Sequence, residues 1–89
     1  MLLPVFFTNQ TNKMKPILIK YTGEIDSIKL MEGVADRMEI VMNTHGQFGY
    51  GIFNTIPGVV EIHNVKNIPP DAIAAVQEAV AGAVNQAKK

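Results

Sequence analysis

The strongest pattern along the chain lies between residues 25 and 43. Ile28, Met31, Val34, Ala35, Met38, Val41 and Met42 recur at steps of three and four, while Lys29, Glu32, Asp36, Glu39 and Asn43 keep the same period on the other side. At 100° per residue those apolar positions, with Leu30, fill an arc of roughly 160°. Only Ser27 interrupts that arc, and only Ile40 strays far into the polar one. The spacing predicts an amphipathic helix over 25–43, with the methionines at 31, 38 and 42 as core filler. Gly33 falls on the polar side in this projection, where it costs about 1 kcal/mol relative to alanine.

A period of two governs the stretches on either side. PILIKY places Ile17, Ile19 and Tyr21 on one side and Leu18 and Lys20 on the other, which predicts a strand. The earlier run LLPVFFT, residues 2–8, also has strand character, and the five polar residues NQTNK between the two predict a hairpin. Met14 offers a second start, with residues 1–13 then an N-terminal appendage. From Gln47 to Thr55, Phe48, Tyr50 and Ile52 alternate with Gly49, Gly51 and Phe53. Pro57-Gly58 then suits the centre of a type II turn, and VVEIHNV resumes the alternation. A two-residue loop at Pro57-Gly58 pairs Ile56 with Val59, Ile52 with His63 and Phe53 with Ile62. That register puts Phe48, Tyr50, Ile52, His63 and Val65 on one face, and Phe53, Val60 and Ile62 beside the two glycines on the other. A last helix begins at Pro70, with Ile73, Val76, Val80 and Val84 as its stripe and small alanines along the flanks.

The resulting order is β-β-α-β-β-α. Moving the last strand of the ferredoxin-like β-α-β-β-α-β pattern to the front yields the same order. The expected fold is therefore a single α+β domain spanning residues 1–89, a two-layer sandwich of a four-stranded antiparallel sheet with two helices on one face. In it, Gly49 and Gly51 face the helices and allow close approach. The stretch IPGVVEIH resembles one strand of small metal-handling ferredoxin-like domains, over a few residues only. The CxxC on which those domains rely is absent, so no membership follows.

Composition narrows the chemistry. Eight basic residues balance eight acidic ones, and 47% of the chain is hydrophobic. A basic stripe for nucleic acid is missing, and a charge-balanced apolar chain favours self-association. With no cysteine, disulfides, thiolate metal sites and cysteine nucleophiles are excluded. The apolar start lacks a basic leader and is too short to span a membrane, so the cytoplasm is the default location. GxxGxG at 46–51 has the wrong spacing for a phosphate loop and precedes a strand rather than a helix. His45 and His63 are the only histidines, short of a metal ligand set. Ser27 is the only serine and lies far in sequence from both, so no nucleophilic triad is expected.

What survives is a surface. In a two-layer domain the sheet face away from the helices is open, and here it is expected to carry Phe48, Tyr50, Ile52, His63 and Val65. The expectation is a non-catalytic assembly module that forms a homodimer through this face, with no cofactor and no metal. The alternative is a small apolar ligand or a single-stranded nucleic acid on the same aromatics, for which Lys20 alone supplies charge.

Overall fold

The computed structural model describes residues 16–89. Its elements are strand β1 (Ile17–Lys20), helix α1 (Ser27–His45), strands β2 (Tyr50–Phe53) and β3 (Val59–Asn64), and helix α2 (Ile73–Ala87), which a 3-10 turn at Pro70–Ala72 introduces. β3 is the centre of an antiparallel sheet of order β1-β3-β2. β1 and β2 thus run parallel to each other, with the last strand in sequence inserted between them.

The four-stranded two-layer sandwich is corrected by this arrangement. The described residues form a three-stranded sheet and two helices in the order β-α-β-β-α. The strand expected at 2–8 lies outside the described residues, and the permuted ferredoxin-like order loses its first element with it. The helices also do more than lie side by side on a sheet, because their contact with each other is the most extensive between any two elements.

That contact explains Gly33. A Cβ there would stand 3.2 Å from the Ala83 Cβ, so the residue marks where α1 and α2 cross rather than a solvent-facing defect. Nearby, Arg37 donates from Nη1 to Gln86 Oε1 at 3.0 Å. Its Nε occupies space that a side chain at Gly82 would need, at 2.9 Å from a Cβ placed there. Leu30, Val34, Met38 and Val41 of α1 meet Val76, Val80, Ala83 and Val84 of α2 above Ile17, Val60 and Ile62 of the sheet. The apolar arc of α1 is wider than its buried face: Met38 is in the core and Met42 half-buried, while Met31 and Ile28 are exposed.

The start of α1 is capped. Asp26 Oδ1 accepts from Ile28 N–H at 2.9 Å and from Lys29 N–H at 3.1 Å, satisfying two donors that the helix leaves unpaired. The Lys29 bond is the main reason the carboxyl titrates below its ordinary value. Desolvation, next in size, opposes it, while the Ile28 bond and the charges of Lys29 and Lys89 contribute less in the lowering direction. A folded pKa below the unfolded one means that the stabilisation is complete above the unfolded value of 3.8 and fades as pH falls through the folded one. Asp26→Asn keeps the acceptor oxygen without the charge. The melting-temperature gap between the native chain and this variant is expected to be widest above about pH 4 and to close below it. Melts followed by circular dichroism across that range check this; a gap independent of pH would overturn it.

The β2–β3 connection departs from the expected register by one residue. Val59 N–H donates to Ile56 C=O at 3.2 Å, and Gly58 has φ +87°, so Pro57-Gly58 does form the centre of a type II turn. Yet Ile52 pairs with Ile62, Phe53 with Glu61 and Gly51 with His63. Between the Phe53–Glu61 pair and the turn, β2 has two residues, Asn54 and Thr55, where β3 has only Val60. The extra residue is a bulge on the β2 side. Asn54 holds it with its side chain, donating from Nδ2 to Val59 C=O at 2.7 Å and to Tyr21 Oη at 3.0 Å. A one-residue slip exchanges the two faces of a strand, and this one turns β2 over.

Candidate functional site on the uncovered sheet face

With β2 turned over, the residues expected to share the open face are divided. Phe48 is 6% exposed and belongs to the core, and Tyr50 and Ile52 pack against it from the helix side. Burial also raises the pKa of the Tyr50 hydroxyl above its usual value. His63 and Val65 stay on the opposite side. In place of the three lost residues, the open face receives Phe53 and Gly51 from β2.

The face can be built row by row from the register. Leu18 of β1, Glu61 of β3 and Phe53 of β2 lie in one line across the sheet. Lys20 and Val59 form the next row toward the turn, and His63 and Gly51 the next in the other direction, with Val65 beyond the end of β3. Leu18 is 53% exposed, Phe53 46% and Val65 70%. Ile56, in the turn, adds a further exposed aliphatic group at the rim. The sequence alternation in β2 was the right signal for a strand, but the side each residue takes depends on the bulge, which only Asn54 could have announced.

Gly51 has a specific role here. A Cβ on it would lie 3.2 Å from Phe53 Cε1, so the bare backbone leaves room for the Phe53 ring to lean back along its own strand. Gly51 is opposite His63, and the ring meets the imidazole edge-on, with centroids 4.7 Å apart and planes at 76°. His63 Nε2 in turn is 2.8 Å from Glu61 Oε1. The carboxylate between Leu18 and Phe53 is therefore satisfied by an imidazole that is itself held by an aromatic ring. Glycines 49 and 51, expected beneath the helices, instead serve the open face and the loop after β3. At Gly49, C=O accepts from Val65 N–H at 3.1 Å and a Cβ would press on Val65 Cβ at 3.2 Å.

The remaining candidates scatter. His45 is the last residue of α1, with Nδ1 3.5 Å from Asp71 Oδ2 at the start of the second helical segment. Ser27 opens α1, near the Asp26 cap. Among the described residues no three or more His, Asp or Glu side chains gather where a metal ion could sit. The His63–Glu61 pair orients an imidazole, yet among the described residues no hydroxyl nucleophile is hydrogen-bonded to it. No helix among the described residues is long and apolar enough to cross a membrane. Compared with protein-family models, curated proteins and solved structures, the chain matches none of them.

Proposed function

We propose that this chain is a non-catalytic assembly module that self-associates through its uncovered sheet face. The observation that supports this reading is the exposure of Leu18, Phe53 and Val65 together on one side of a small sheet. Large apolar groups gathered on one face mark interaction surfaces more often than chance exposure does. Face-to-face packing of two such sheets buries the Leu18–Glu61–Phe53 row, and the only carboxylate in it already has a hydrogen-bond partner in His63. A buried polar pair that is already satisfied does not oppose the contact as a lone charge would. With Phe48 and Tyr50 turned to the helices, the face keeps one aromatic ring and one imidazole, a poor platform for stacked bases.

Phe53→Asp places a charge at the middle of this surface without touching the core. It is expected to raise the dissociation constant of the assembly by at least about tenfold, or ~1.4 kcal/mol. Ile40→Asp, on the outer side of α1, is expected to leave it unchanged. Sedimentation velocity over a concentration series, with native mass spectrometry for stoichiometry, measures both. A native chain that stays monomeric at millimolar concentration would overturn the proposal.

A further inference from the structure

On the open face of the sheet one pair of side chains can change its net charge without changing its contacts. His63 Nε2 stands 2.8 Å from Glu61 Oε1, and both side chains are partly exposed. A neutral imidazole donates its Nε2 hydrogen to the carboxylate and leaves the pair with one negative charge. A protonated imidazole makes the same bond and leaves it with none. Imidazole is the side chain that moves between those states between about pH 5 and 8. The groups that face the pair from the neighbouring strands carry little charge. β2 presents Gly51 and Phe53, whose ring meets the imidazole edge-on, and β1 presents Leu18 and, one row on, Lys20. Toward the end of β3, Lys66 Cγ lies 3.5 Å from where a Cβ on Gly49 would stand. Among the described residues neither lysine forms a salt bridge with Glu61, and Glu61 is the only carboxylate in these rows. His45, the other histidine, pairs with Asp71 at the end of α1.

We propose that the self-association described above, on which this inference rests, is driven by proton uptake: each copy binds a proton at His63 as the two faces meet, so that Glu61 enters the contact within a neutral pair. Glu61 lies in the middle of its row, between Leu18 and Phe53, so face-to-face packing covers it. Taking a net charge out of water costs far more than taking a paired and neutral couple. A two-fold contact also brings two Glu61 carboxylates into one interface, where without the protons they repel each other. An assembly that binds protons more tightly than its separate chains grows stronger as pH falls. The His63–Glu61 pair thus sets the pH at which the face is used, while Leu18, Phe53 and Val65 supply its apolar area.

The test is sedimentation velocity on the full chain, over a concentration series at about pH 8, 7 and 6, chosen to span the imidazole range. The dissociation constant of the native chain is expected to fall about tenfold or more from the highest pH to the lowest, and one proton per copy limits the slope to about a hundredfold per pH unit. His63→Gln keeps a hydrogen donor that does not titrate, and its dissociation constant should stay near the weak, high-pH value of the native chain throughout. Glu61→Gln should reverse the sign. Its neutral pair associates tightly at high pH, and protonation of His63 then leaves an unbalanced cation that weakens the contact as pH falls. A native constant that is flat across the range would overturn proton uptake, because a lysine such as Lys20 would then be balancing Glu61. So would a pH dependence that survives intact in His63→Gln, which would place its origin elsewhere, or a Glu61→Gln chain that still tightens toward low pH. A dimer without pH dependence defeats proton uptake alone, whereas a chain that stays monomeric at every pH at millimolar concentration defeats the self-association and proton uptake with it.

Discussion

Ile62→Ala is expected to destabilise the fold by about 2–5 kcal/mol, the range for truncating a large aliphatic side chain in a packed core. Ile62 is fully buried in the central strand. It lies in one row with Ile17 of β1 and Ile52 of β2, so it is the one aliphatic group that touches both outer strands at the same level. The cavity left by alanine opens beneath the helix pair, where α1 and α2 already approach as closely as Gly33 and Ala83 allow and have little room to settle. For 89 residues the total stability expected at 0.05–0.15 kcal/mol per residue is roughly 4–13 kcal/mol, so this single change removes a large share of it. Urea unfolding with an unchanged m-value and a lowered midpoint would match the expectation. A loss below about 1 kcal/mol would mean that the row is not packed as described.

Asn54→Ala carries the second-largest expected cost, about 1–3 kcal/mol. The Asn54 amide donates to the Val59 carbonyl, which the bulge leaves without a ladder partner, and to the Tyr21 hydroxyl across the end of β1. Alanine abandons both acceptors in a half-buried place. Asn54→Asp is expected to be at least as harmful, since a carboxylate of the same shape has no hydrogen to give and faces a carbonyl oxygen. The informative readout is the register. If the amide holds the bulge, weakening it allows β2 to slide toward the tight two-residue hairpin that pairs Ile52 with His63. Nuclear Overhauser contacts between cross-strand Hα atoms report which pairing is present. A variant that keeps both the native register and its full stability would show that the bulge is set elsewhere.

This residue also marks the boundary of what could be read from the sequence. The helix pattern was legible because many positions contribute to it, and one exception such as Ile40 does not disturb the rest. The spans of α1 and α2 therefore agree closely with the apolar periods, as does the Pro57-Gly58 turn, whose residues meet a specific backbone demand. The faces of β2 were not legible. They depend on whether one residue bulges, and that choice is made by a side-chain hydrogen bond from Asn54 across the turn rather than by hydrophobicity. Because alternation has a period of two, a single extra residue moved Phe48, Tyr50 and Ile52 from the expected surface into or against the core, and brought Phe53 out. Gly33 was misplaced for a related reason: a helical wheel records which side of a helix is polar, but not where a second helix crosses it. Of the five residues expected on the open face, the register leaves His63 and Val65 there and turns Phe48, Tyr50 and Ile52 toward the helices.

The position of β3 has a consequence for the time course of folding. β2 and β3 are joined by a short turn and can meet as soon as both exist, whereas the β1–β3 ladder joins residues as far apart as Ile17 and Ile62. Closing that long loop costs more chain entropy than closing the hairpin does, and it yields nothing until the last strand is in place. Of the three described strands β1 is made first, and it must wait. During that interval Leu18 and Ile19 lack their β3 partners, and an aggregation hazard lies in the delay between making a strand and making its neighbour.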